Sequence, residues 1–206
     1  MTLTAEGFSR VFPVSRETLD RLNAYVRLVT AWNRRINLIG RNTVDDVWQR
    51  HILDSAQLSA HVPSGARRIV DLGSGAGLPG LILAILGAPE AHLIESDMRK
   101  SAFLAEAIRI TGVPAILHAE RAEVTAAFPA DIVTARACAP LKNLLGLADR
   151  FIGPGTICLF PKGRSVATEL TDAAKEWNMA VTRLPSVTDG EGSILKLEGV
   201  SRVERP

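Results

Sequence analysis

Ten consecutive residues, Asp71-Leu72-Gly73-Ser74-Gly75-Ala76-Gly77-Leu78-Pro79-Gly80, carry four glycines and follow directly on the apolar pair Ile69-Val70. So dense a cluster between a β-branched run and a helical stretch predicts a strand, a tight turn and a helix packed closely on the sheet. Open α/β sheets bind ligands beyond the carboxyl ends of their strands, and the glycine-rich turn after the first strand is the usual cradle. The bland alternative is an ordinary strand-to-helix connection.

The surrounding pattern supports an α/β fold. Strands are expected at Ile69–Leu72, Ala91–Glu95, Ala115–His118, Ile132–Ala135, Ile157–Phe160, Ala180–Leu184 and Ile194–Glu198, with helices over Pro79–Leu86, Arg99–Thr111, Leu141–Asp149 and Ser165–Trp177. Alternation of this kind requires crossover connections, hence a mostly parallel, seven-stranded sheet with helices on both faces. Residues before Gly65 read differently. Leu19, Leu22, Val26 and Val29 recur at helical spacing, with Ser15 as the N-cap, and a second helix is expected over Val44–Ala60. Between them lies the basic connector Asn33-Arg34-Arg35-Ile36-Asn37-Leu38-Ile39-Gly40-Arg41. The expected organisation is a helical appendage over 1–64 and a sheet domain over 65–206, together one compact unit, since 206 residues are few for two independent cores.

Composition narrows the possible functions only slightly. The 24 basic residues against 22 acidic ones leave a net charge of +2, so a nucleic-acid surface has to come from local clustering. The two cysteines, Cys138 and Cys158, have no metal-ligand spacing, are expected to be buried thiols, and imply neither a bound metal nor a disulfide framework. No apolar run approaches the roughly 20 residues of a membrane span, and Met1 to Gly7 lack the pattern of a signal peptide. A cytoplasmic location is expected.

The choice of cofactor turns on charge. Gly75-Ala76-Gly77-Leu78-Pro79-Gly80 satisfies the dinucleotide signature GxGxxG literally, and Glu95 follows at a suitable distance for a ribose-binding acid. A pyrophosphate, however, would rest where the helix dipole is positive, and Asp71 closing the strand beneath the turn would repel it. The same carboxylate would attract the ammonium and sulfonium of S-adenosylmethionine. Glu95 suits the ribose of either cofactor. The competing readings are a capping carboxylate for Asp71 and a solvated strand end for Glu95.

Several ordered motifs resemble one family, the bacterial 16S ribosomal RNA guanine-N7 methyltransferases, also called RNA small subunit methyltransferase G and formerly glucose-inhibited division protein B. They are Trp32-Asn33-Arg34-Arg35-Ile36-Asn37-Leu38-Ile39, Arg50-His51-Ile52-Leu53-Asp54-Ser55, the glycine loop, Glu95-Ser96 with Arg99-Lys100, Arg121-Ala122-Glu123, Ala135-Arg136-Ala137 and Pro161-Lys162-Gly163. The resemblance implies a Rossmann-like class I methyltransferase using S-adenosylmethionine. It places Gly73 and Leu78 at the cofactor loop, Ala122 and Glu123 against the adenine, Arg136 at the mouth shared by cofactor and substrate, and Lys162 and Gly163 beside the transfer site. It also implies a target guanine in a hairpin loop near the decoding region of 16S RNA, within the small ribosomal subunit or its assembly intermediates; separately, a monomer is expected. Asp97-Met98 departs from the family, which commonly has a Leu or similar residue and a glycine there. No role carries over to the segment after Gly190.

Guanine N7 is neutral and holds an available lone pair, so methylation there needs alignment and desolvation but no general base. Arg136 is the only residue assigned to the transfer, as a positioning group that grips O6 or a phosphate; the alternative is a strand-end ion pair. His51 is read equally as a partly buried histidine and stays outside the catalytic set. Arg34, Arg35, Arg41 and Arg50 are the expected phosphate clamp, with Lys162 and Arg164 on the opposite side. Trp32 and Trp48 sit in apolar stripes and are expected in the core. A small-molecule methyltransferase, a non-catalytic assembly factor and a nicotinamide oxidoreductase are the competing functions.

Overall fold

A Ser15 side chain accepting the Thr18 amide at 3.1 Å starts the longest helix of the chain, α2 (Arg16–Asn33), which follows the short α1 (Ala5–Val11). In the computed structural model residues 2–204 are described, so 1, 205 and 206 at the ends of the two expected regions lie outside the described residues. The helix expected over Val44–Ala60 is instead a run of short turns. A 3-10 turn at Arg41–Asp46 passes into a π-helical turn at Trp48–Leu53, one α turn (α3, Asp54–Ala56) and a second 3-10 turn at Gln57–His61. Irregular windings of this kind often mark functional or strained segments, and here His51 and Asp54 both bond to a residue that follows a strand of the sheet described below.

The sheet follows in the alternating order the sequence predicts. Its strands are β1 (Arg68–Leu72), β2 (Glu90–Ile94), β3 (Ala115–His118), β4 (Ala130–Thr134), β5 (Ile152–Lys162), β6 (Trp177–Pro185) and β7 (Ser193–Arg202). Between them run α4 (Gly80–Ile85), α5 (Met98–Thr111), α6 (Leu141–Ala148) and α7 (Val166–Ala173). The spatial order is β3-β2-β1-β4-β5-β7-β6, parallel except for β7, which is antiparallel to both neighbours. The order reverses between β1 and β4, and the crevice beyond their carboxyl ends is where such sheets take ligands.

Alternation along the strands divides the core. Val70, Leu72, Val133 and Phe160 pack with α6 and α7, while Ala91 and Leu93 pack with α4, α5 and the appendage. The appendage therefore shares a core with the sheet. Trp48 is buried with its ring 5.5 Å from that of Phe8, and Trp32 meets Phe103 edge-on at 5.8 Å, so both tryptophans serve packing. Asp97, the departure from the family pattern, caps α5 by accepting the amides of Arg99 and Lys100 at 2.8 and 3.2 Å.

The most consequential contact between appendage and sheet is polar. Tyr25 on α2 is fully buried, and its hydroxyl donates to the carbonyl of Ala76 in the glycine loop at 2.7 Å. Burial pushes its phenol above the usual range, so it stays a donor at every physiological pH. Tyr25→Phe leaves that carbonyl without its donor. The expected loss is about 1–3 kcal/mol of stability, read as a lower midpoint in urea unfolding.

Candidate active site

Three glycines of the loop, Gly73, Gly75 and Gly77, have φ values of 62°, 57° and 82°, the left-handed region in which other residues are strained. Contacts add a second reason at two positions. A Cβ on Gly73 would lie 2.6 Å from the Cys138 sulfur, and one on Gly80 would lie 2.5 Å from Cβ of Asp71. Gly80 lets α4 sit directly against β1, which closes Asp71 off from solvent. Leu78 turns its side chain into the core with Leu81 and Leu104, so only its main chain borders the loop.

Asp71 is fully buried. Its Oδ1 accepts from the Thr134 hydroxyl at 2.9 Å, and no donor meets Oδ2. Burial pushes the carboxyl up to about 6, against the lowering effect of the Thr134 and Ser74 hydroxyls, the Gly80 amide and the Arg136 charge. It does not cap the Gly75 amide. That role falls to Glu95, just past β2, whose carboxylate accepts the amides of Gly75 at 2.8 Å and Asp97 at 2.7 Å. At 7% exposure Glu95 is no solvated strand end. Ala122 is buried and Glu123 is exposed; the carbonyls of both accept from the Arg150 guanidinium, a tie that no motif disclosed.

Arg136, beyond β4, is turned toward the appendage. Its guanidinium donates to Asp54 Oδ2 at 3.0 Å, to the Arg50 carbonyl at 3.1 Å and to His51 Nδ1 at 2.9 Å. This corrects the expectation of a free guanidinium gripping O6 or a phosphate: a carboxylate and two neutral acceptors already hold it, with both ionic side chains more than four-fifths buried. The network fixes the histidine tautomer. Thr43 gives its one proton to the Gly40 carbonyl at 2.7 Å, so His51 Nε2 donates to Thr43 at 2.7 Å and Nδ1 is bare. Burial and the Arg136 charge push the His51 pKa down to about 3. Asp54 continues the network, its Oδ1 accepting from Gln57 at 3.0 Å and from Thr188 at 2.5 Å. Gln57 in turn accepts the Val187 amide at 2.9 Å, joining the β6–β7 connection to the appendage.

These groups wall a cleft of about 900 Å³ at the carboxyl end of the sheet, between the appendage, the segment after β4, the end of β5 and the β6–β7 connection. Cys138 lines this cleft and also covers Gly73, so the cleft and the glycine loop meet at that residue. Its thiol is exposed, contrary to expectation, because the segment after β4 crosses the open mouth of the sheet, whereas Cys158 is buried within β5. Lys162 is a second correction. Its ammonium is nearly buried and bonded to the Ala139 carbonyl at 2.9 Å and to Glu169 at 2.8 Å, so it forms the floor of the cleft and is not free to hold a phosphate. Arg164 is exposed and paired with Glu191. Arg34, Arg35, Arg41 and Arg50 are exposed on the appendage side.

Comparison with known proteins decides the family. A profile of the rRNA small subunit methyltransferase G family matches residues 18–195. The chain belongs to that family. It is 60% identical over 197 residues to the ribosomal RNA small subunit methyltransferase G of Rhodospirillum centenum, covering 96% of this chain and 91% of that one. It is 52% identical to the protein of the same description from Rhodospirillum rubrum, covering 97% and 100%. Among solved structures, a TehB-like SAM-dependent methyltransferase from Corynebacterium glutamicum superposes with a TM-score of 0.58 at 14% identity, covering 86% of this chain and 98% of that one, a likeness of fold alone. The class I methyltransferase fold stands, and the dinucleotide reading of GxGxxG is set aside. The residues present fit S-adenosylmethionine: a left-handed glycine loop that leaves room for close approach, a buried carboxylate oxygen with no donor, and an acid at the end of β2.

The signals for Arg136 and His51 lay in the sequence, but their mutual bond did not, because 85 positions separate them. A neutral His51 beside Arg136 ties stability to pH. The histidine protonates near 6.5 once unfolded and near 3 when folded, so its contribution is complete above about pH 6.5 and falls by about 1.4 kcal/mol per unit below it. His51→Asn keeps an acceptor for Arg136 without a titrating ring. Thermal unfolding from pH 7 to pH 5 is expected to show a smaller decline in the variant than in the unsubstituted protein.

Proposed function

We propose that the protein transfers the methyl group of S-adenosylmethionine to N7 of a guanine in a hairpin loop of 16S ribosomal RNA, within the small ribosomal subunit or its assembly intermediates. Family membership supports the reaction class. The observation that carries the finer reading is the chemistry of the cleft: its inner polar groups are committed to one another. His51, Asp54, Lys162 and Glu169 spend their donors and acceptors on Arg136, Thr43, Gln57, Ala139 and backbone amides. None of these four inner groups stands ready to take a proton, and attack by the N7 lone pair requires none.

S-adenosylmethionine, when bound, supplies an electrophilic methyl on a sulfonium. The glycine loop would hold its main-chain end, Asp71 would offset its positive charge from behind the loop, and Glu95 would accept the ribose hydroxyls with the lone pairs left over from Gly75 and Asp97. Ala122 and Glu123, fixed by Arg150, would border the adenine. Arg136 acts as a positioning residue: it holds the appendage against β4 and so sets the width of the cleft into which the splayed guanine turns. Arg34, Arg35, Arg41 and Arg50 would meet RNA phosphates from the appendage, and Arg164 from the far rim. No described helix is long and apolar enough to cross a membrane. A monomer in the cytoplasm suits a protein working on ribosomal subunits.

Two measurements test this reading. With labelled S-adenosylmethionine and small subunits from cells lacking the protein, nucleoside mass spectrometry is expected to find 7-methylguanosine; cofactor binding without transfer would favour a small-molecule enzyme or an assembly factor. Replacing both Arg34 and Arg35 with Ala is expected to weaken subunit binding several-fold, with unchanged affinity for S-adenosylmethionine. A third test addresses Asp71. Its carboxyl titrates near 6, so affinity for the sulfonium is expected to fall as pH drops through 6, and Asp71→Asn should bind weakly at every pH. Isothermal titration between pH 5 and pH 8 reads both; equal affinity in Asp71→Asn would remove the electrostatic account.

A further inference from the structure

The β6–β7 connection, Ser186 to Gly192, forms one wall of the cleft, and no motif or family-matched position gives it a role. Its chemistry suits one purpose. A guanine turned out of its stack is read along its Watson–Crick edge, where N1–H and the N2 amino group are adjacent donors and O6 is an acceptor beside them. A carboxylate can accept from both donors at once. Three carboxylates line the cleft: Asp54, Glu169 and Asp189. Asp54 is taken by Arg136, Gln57 and Thr188, and Glu169 by Lys162, Ser165 and the Leu141 amide. Asp189 differs. It is exposed, it uses only Oδ1 to accept the Glu191 amide at 3.0 Å, and its Oδ2 is open.

The wall is fixed in place: Thr188 bonds to Asp54, Gln57 holds the Val187 amide, and the absence of a side chain at Gly192 leaves room for Asp189, whose Cβ lies 3.1 Å from where a Gly192 Cβ would stand.

We propose that the β6–β7 connection selects guanine, with Asp189 accepting from N1–H and N2–H. The proposal rests on the guanine-N7 reading above. Asp189 is a specificity-determining residue, and the transfer step itself is unchanged by it.

The test uses small subunits reconstituted with 16S RNA that carries either guanosine or inosine at the position the unsubstituted protein methylates. Inosine lacks only the N2 amino group. The unsubstituted protein is expected to lose about tenfold in kcat/KM on inosine, the usual worth of a hydrogen bond to a charged group. Asp189→Asn keeps an acceptor for the Glu191 amide. It is expected to be about tenfold slower than the unsubstituted protein on guanosine, to show no further loss on inosine, and to bind S-adenosylmethionine normally. Asp189→Ser should give the same pattern and guards against a folding defect peculiar to one variant. Retention of the original guanosine-to-inosine ratio in both variants would overturn the proposal. Absence of transfer to guanosine RNA by the unsubstituted protein would instead show that the guanine-N7 reading has failed, before any variant is compared.

Discussion

The site depends on one guanidinium. Arg136 is held by a carboxylate, a backbone carbonyl and a neutral imidazole, all from the irregular turns of the appendage, while its own backbone continues from β4 at the point where the sheet order reverses. Removing such a charge from water is costly, and the three bonds it donates offset that cost. These bonds tie the appendage to the sheet beside the cleft. Through Asp54 the same network reaches Thr188 and, through Gln57, the Val187 amide, so the far wall of the cleft is set by the same charge.

The glycine loop is fixed with comparable economy. Tyr25 holds it from behind through the Ala76 carbonyl, Glu95 from the side through the Gly75 amide, and the Ser74 amide reaches the Ile94 carbonyl at 2.9 Å. What these bonds leave unsatisfied is informative. Asp71 keeps one oxygen without a donor in a fully buried position, a costly state for a carboxylate that a bound cation relieves. Placing negative charge behind a loop whose helix would otherwise attract anions distinguishes a sulfonium site from a pyrophosphate site.

Residues that act on near neighbours could be read from the sequence. Ser15 caps α2, Asp71 lies one residue before the end of β1, and the glycines bend the loop, because caps, strand ends and turns depend on residues within a few positions. The helix expected over Val44–Ala60 failed for the complementary reason. Its apolar spacing is helical, but the bonds that His51 and Asp54 make to Arg136, 85 and 82 positions away, override the regular winding. Lys162 and Cys138 illustrate the same limit. A basic residue next to Gly163 looks like a phosphate contact until Glu169 and the Ala139 carbonyl are found around its ammonium.

The sequence by itself determined the alternation of strands and helices, the position of the glycine turn and the sign of the charge beneath it, since each is set by side-chain periodicity or by adjacent residues. Only the tertiary structure decided which charges are free and which are spent. Arg136 and Lys162 were drawn into buried pairs, whereas Asp189 was left open on the wall of the cleft, and that distinction depends on partners brought together by the sheet across long separations in the chain.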